Sequence, residues 1–189
     1  ENPTAPLGHH TFDSTHVSYG VATAAIDAGR WTVEGSLFNG REPDEHRWNI
    51  DFARLDSWSG RIVFRAGTDW TWQVSTGRLK DTEVLDPGVT TRTTSSISWT
   101  RRKDSTHFLA VTTGAGANVH DGETRANVFA ESTWREGPHA TYGRLEIHQP
   151  EVGLLVTGLL PPPPGAPHHG TLAALTLGGV RDLARSEEH

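Results

Sequence analysis

The chain of 189 residues carries a formal net charge of −6, a pI near 6.0 and a mean hydropathy of −0.50, with 34% hydrophobic residues. That charge supplies no basic field for nucleic acid. The absence of Cys removes disulfide frameworks, thiolate catalysis and Cys-based zinc sites. Seven Trp at so low a hydropathy argue against disorder and suit a sheet that is apolar on one side only.

Helical periodicity is scarce and period-two alternation recurs, which predicts an all-β chain. In chain order, strands are expected at 15–27, 30–39, 57–66, 69–79, 91–102, 105–115, 125–135 and 139–149, with a ninth at 171–180. The reading divides the chain into a β-barrel meander over 1–149, a Pro-rich long loop over 150–170 and a partial further strand with a tail over 171–189. That last strand has no partner visible in the sequence.

The connections fall into two alternating classes. Hairpin-turn chemistry occurs at Asp27-Ala28-Gly29, Ala66-Gly67-Thr68-Asp69, Arg102-Lys103-Asp104-Ser105 and Arg135-Glu136-Gly137-Pro138. Long acidic, Gly- and Pro-rich loops are expected at 40–56, 80–90, 116–124 and 150–170. Short turns at one end and long loops at the other is the connection pattern of transmembrane β-barrels. The predicted architecture is therefore an antiparallel up-and-down meander of about 8–9 long strands, a transmembrane β-barrel or part of one.

Alternation also sorts the side chains. Val17, Tyr19 and Val21, then Trp31, Val33 and Leu37, Trp58, Ile62 and Phe64, Trp70 and Trp72 are assigned to an apolar face. Trp31, Trp70, Trp99 and Trp134 each lie near a short turn, so they are candidates for an aromatic girdle at a membrane interface. Trp58 and Tyr19 suit the opposite girdle. Glu34, Arg61, Arg65, Glu131, Arg144 and Glu146 fall on the polar face. They would line a lumen, either as a charge ladder that selects ions or as structural pairs crossing the interior.

Three stretches carry a resemblance. NPTAPLGHHTFDSTHVSYGVATA, WTVEGSLFNGREPDE and LDSWSGRIVFR resemble an uncharacterised group of Gram-negative outer-membrane β-barrel proteins. The resemblance implies an outer-membrane location and a porin-like fold, and it lends no catalytic residues. Complete barrels of that kind end on a strand with a terminal aromatic, whereas this sequence ends LARSEEH and begins without Met. The expectation is a fragment of a larger barrel.

Site chemistry is sparse. His9, His10 and His16 cluster near the N-terminus and His168-His169 follow the Pro run. Close imidazoles could take Cu²⁺, Zn²⁺ or Ni²⁺, but no spacing matches an established zinc motif and exposed loop His is the plainer reading. Acidic groups at Glu42, Asp44, Glu45 and at Asp81, Glu83, Asp86 lack a Ca²⁺-loop pattern. GAGAN at 114–118 lacks the context of a phosphate loop and reads as a strand end. Neither a G-x-S-x-G elbow nor an H-E-x-x-H motif occurs.

The functional expectation is a non-enzymatic outer-membrane barrel, a porin-like passive channel or a structural barrel. Its partners would be the outer-membrane lipid bilayer and small solutes or ions, with no cofactor and no nucleic acid. The alternatives are a soluble antiparallel β-barrel that binds a small ligand in its mouth and, below it, an outer-membrane enzyme.

Overall fold

The structure, a computed structural model, describes residues 8, 12, 20–41, 54–81, 87–150 and 170–183. Nine strands are present among them: β1 (Val21–Ala28), β2 (Trp31–Phe38), β3 (Ser57–Ala66), β4 (Trp70–Lys80), β5 (Val89–Asp104), β6 (His107–His120), β7 (Glu123–Glu136), β8 (His139–His148) and β9 (Leu172–Arg181). Each pairs antiparallel with its sequence neighbours, so one sheet runs β1 to β9 without a crossover. The sheet does not close. Neither β1 nor β9 has a strand on its outer edge among the described residues.

The all-β meander follows the alternation, and several expectations need correction. β6 continues to His120 and β7 starts at Glu123, so the connection expected as a long loop over 116–124 is the two-residue turn Asp121-Gly122. Both turn residues have positive φ, 47° and 82°, the mirror-image geometry that matches the twist of a β-ribbon and that Asp-Gly adopts readily. The alternation of short and long connections therefore fails at this point. β5 is also longer than expected, 16 residues. The strand near the C-terminal end is not partnerless, because β9 pairs with β8 through ten positions, from His139 opposite Arg181 to His148 opposite Leu172.

A further correction concerns Val21. It stands opposite Phe38, whose side chain is fully buried, so it belongs to the polar-side register. The apolar face of β1 is Ala22, Ala24, Ile26 and Ala28, opposite Leu37, Gly35, Val33 and Trp31. A one-residue change of register moves every side chain of a strand to the other face. Val17 and Tyr19 lie outside the described residues, as do His9, His10, His16, His168, His169, Glu42, Asp44, Glu45, Glu83 and Asp86.

The face carrying Trp31, Val33, Ile62, Trp70, Leu145 and Leu175 is exposed, while Arg144 and Glu146 on the other are 6% and 2% exposed. The sheet coils with its polar side inward. Three large apolar side chains, Phe38, Val63 and Leu79, are buried among the described residues, against 23 large hydrophobics that are exposed.

Two of those three apolar side chains, Phe38 and Leu79, lie at the long-loop end. Phe38, Ser57 and Leu79 are buried side by side on β2, β3 and β4, and Ser57 Oγ accepts the Lys80 N–H at 3.0 Å. Gly40 follows over them. A Cβ on it would lie 2.9 Å from Lys80 N and collide with Ser57 Oγ, so only glycine lets the chain pass this close.

Candidate functional site

Two surfaces carry the predicted site residues: the enclosed polar face and the rim of the exposed face near the short turns.

On the enclosed face, pairing sets the geometry. Glu34 on β2 stands opposite Arg61 on β3, and Arg61 Nε donates to Glu34 Oε2 at 2.6 Å. Glu131 on β7 stands opposite Arg144 on β8, whose Nε and Nη2 both donate to Glu131 Oε2, at 2.9 and 2.7 Å. Arg65 Nη1 donates to Thr32 Oγ1 at 2.7 Å, and the Thr32 hydroxyl donates to Asp27 Oδ1 at 2.5 Å. A cation and an anion are thus joined through one hydroxyl. The six residues lie on one face but not at one point: Glu34 and Arg61 belong to the β1–β3 side, Glu131, Arg144 and Glu146 to the β7–β8 side.

Between those groups the wall is built from small hydroxyl side chains. Ser75 and Thr94 are hydrogen-bonded at 3.1 Å and Ser98 and Thr112 at 3.0 Å. Toward the long-loop end Arg92 Nε donates to Asn118 Oδ1 at 2.9 Å, the Thr90 hydroxyl meets His120 Nδ1 at 3.1 Å, and Arg125 reaches Glu123 at 3.5 Å. These residues were missed as site candidates although the alternation of β5 includes Arg92. Asn118 and His120 were assigned to a loop, so their facing was not legible.

The rim is aromatic. Trp70 and Trp99 stand opposite each other with ring centroids 6.3 Å apart at 47°. Trp31 packs on Phe64 at 4.5 Å, and Trp134 is opposite Leu109 and Thr141. Trp31, Trp70 and Trp134 are exposed, Trp99 half-buried. All four lie in the exposed-face register. Trp58 is on that face at the opposite end of β3.

Three sets of polar side chains on the exposed face find local partners. Trp72 Nε1 donates to Ser95 Oγ at 3.1 Å, the Thr113 hydroxyl donates to the Phe129 carbonyl at 3.0 Å, and Thr76 and Thr93 share a bond at 3.2 Å. That is what a face removed from water requires.

Beyond the rim, Asp104 closes the β5–β6 turn. Its carboxylate is held well below the usual carboxylate range, first by the His107 side chain and then by the Thr106 hydroxyl and backbone N–H. The contacts are 2.9, 2.8 and 2.8 Å. Among the described residues no three His, Asp or Glu side chains converge in a way that would hold a metal ion. The chain matches no protein-family model, no curated protein and no solved structure.

Proposed function

We propose that this chain is wall of an outer-membrane β-barrel, a porin-like passive channel or a structural barrel with a polar interior. The observation that carries the reading is the inverted amphipathicity of the sheet. Its apolar side chains face outward and its ion pairs face inward, with three large apolar side chains buried among the described residues. In water such a sheet loses the hydrophobic term that offsets chain entropy. In lipid the exposed face is solvated by acyl chains, while cross-strand pairing and the Trp72, Thr113 and Thr76–Thr93 hydrogen bonds satisfy polar groups on it.

The aromatic rim supports the same reading, since Trp is enriched where hydrocarbon meets headgroups. Strands of 8 to 16 residues include many that reach the 9–11 or so needed to span a bilayer at a tilt. Passage through such a barrel is passive. Because Glu34–Arg61 and Glu131–Arg144 neutralise one another, the wall offers small solutes hydrogen-bonding groups more than a net field.

The test is reconstitution. Purified chain is mixed with detergent micelles and with lipid vesicles whose acyl chains carry bromine. Association with the vesicles, strong quenching of Trp fluorescence by the brominated chains and heat-modifiable migration on a gel are expected. A monodisperse, folded protein in detergent-free buffer with unquenched Trp would overturn the reading and favour a soluble ligand-binding barrel.

A further inference from the structure

Positive charge at the short-turn end, among the described residues, is concentrated in one hairpin. Beside the β1–β2 turn Arg30 is balanced in number by Asp27, beside β3–β4 Arg65 by Asp69, beside β7–β8 Arg135 by Glu136, and past β9 Arg181 by Asp182. The β5–β6 hairpin sets Arg101, Arg102 and Lys103 against Asp104 alone, in a chain whose net charge is −6. That acid is engaged locally. Asp104 meets the His107 ring at 2.9 Å and accepts from the Thr106 hydroxyl and backbone N–H at 2.8 Å each.

Pairing decides which of the three cations faces outward. Arg101 stands opposite Leu109, which stands opposite Trp134, so Arg101 is in the outward register, two residues past Trp99 toward the turn. Two residues at about 3.3 Å each, on a strand tilted about 40°, place it roughly 5 Å beyond that ring. From there its stem can lie along apolar surface while the guanidinium stays in the polar layer. Arg102 is in the opposite register, across from Phe108, with its guanidinium 5.8 Å from the centre of that ring. Lys103 sits at the register shift before Asp104 and is exposed. On the hydrocarbon side of Arg101, the outward surface of β5 and β6 is Ile97, Trp99, Leu109 and Val111.

We propose that this end of the β5–β6 hairpin binds the headgroup of an anionic phospholipid. Arg101, reinforced by Lys103, meets the phosphate and the headgroup's net negative charge, and an acyl chain lies over Trp99, Val111 and Ile97. A zwitterionic lipid matches the apolar surface but not the excess of positive charge. A soluble anion matches the charge and leaves the apolar surface bare. The inference rests on the barrel reading above, since Arg101 meets a headgroup layer only if lipid covers the rim.

The test is lipid competition. Full chain is reconstituted at low ionic strength, where surface charge is least screened, into mixed vesicles of phosphatidylglycerol and phosphatidylcholine. Bromine is carried on the acyl chains of one lipid or of the other, and the ratio of the two quenching efficiencies gives the preference. The signal of Trp99 is the difference between each protein and its Trp99→Phe counterpart. Preference for phosphatidylglycerol is expected in the parent and falls about fivefold in Arg101→Gln. It is kept in Arg101→Lys, and in Arg102→Gln, which removes the same charge from the other face. No preference in the parent, or equal loss in Arg101→Gln and Arg102→Gln, overturns the proposal.

The two readings fail separately. Strong and equal quenching of the parent by both brominated lipids removes the headgroup site and leaves the barrel reading standing. Quenching by neither removes the barrel reading, and the headgroup site with it.

Discussion

Replacing Leu145 with Arg distinguishes lipid from water on the exposed face. Leu145 is 52% exposed and lies in mid-β8 between Ala130 on β7 and Leu175 on β9. Thr141, four residues nearer the short turn, is opposite Trp134 and marks the level of the aromatic rim. Four residues at about 3.3 Å each, on strands tilted about 40°, place Leu145 roughly 10 Å inside that rim. An outer-membrane apolar band is about 25 Å tall, so this is close to its midplane. Arg there costs about 2–4 kcal/mol, whereas at the rim the cost falls to about 0–1 kcal/mol. On a water-exposed strand either change would stay within about 0.5 kcal/mol.

The measurement is equilibrium unfolding by urea from lipid vesicles, followed by Trp fluorescence, for the parent, Leu145→Arg and Thr141→Arg. Depth-dependent loss, large at position 145 and small at 141, is the expected result. If Leu145→Arg matches the parent within about 0.5 kcal/mol, the exposed face does not contact hydrocarbon and the reasoning fails.

Three further outcomes follow from the same geometry. Glu131→Gln removes the charge that faces the nearly buried Arg144 guanidinium and should cost about 1–2 kcal/mol, against less than about 1 kcal/mol for Glu34→Gln, whose partner Arg61 has a side chain 48% exposed; equal effects in the urea assay would contradict this ordering. Gly114→Val drives a side chain into the Phe129 ring and should destabilise by about 1–3 kcal/mol, with part of the loss recovered in the double variant with Phe129→Ala. At the β5–β6 turn, the lowered pKa of Asp104 means its stabilising contribution is present above the ordinary carboxylate pKa of about 4 and is lost only as pH falls through the depressed value. Amide-exchange protection of Thr106 should therefore survive at about pH 3 in the parent and vanish at every pH in Asp104→Ala.

The sequence made the meander and the sorting of faces legible, because period-two alternation is a local signal and the strands of β2, β3, β4, β7 and β8 carry it plainly. It failed at Gly116–His120, where Gly, Ala and Asn have weak strand preference and the following Asp-Gly resembled a loop; neighbouring strands on both sides supply the hydrogen bonds that override that preference. Val21 was misassigned because its face of VATAAIDA mixes Val21 and Ala25 with Thr23 and Asp27, a weak alternation whose register is fixed by pairing with β2. The six charged candidates were legible as a face, but which acid meets which base depends on cross-strand register. That Gly8 lies against Asn127 and Phe12 against Phe129 could not be read from sequence at all, since the partners are more than a hundred residues apart in the chain.

The edge strands carry one more consequence. β1 and β9 both run from the long-loop end toward the short-turn end, because nine strands alternating in direction begin and finish alike. Joined to each other they would meet in a parallel seam, the only one in the sheet. Any ring built wholly from antiparallel neighbours has an even number of members, so a ring that includes these nine takes in an odd number of others. In a wholly antiparallel ring the parity of the meander thus limits what can lie along the outer edges of β1 and β9: strands that enter as one, three or five, and never as a single pair.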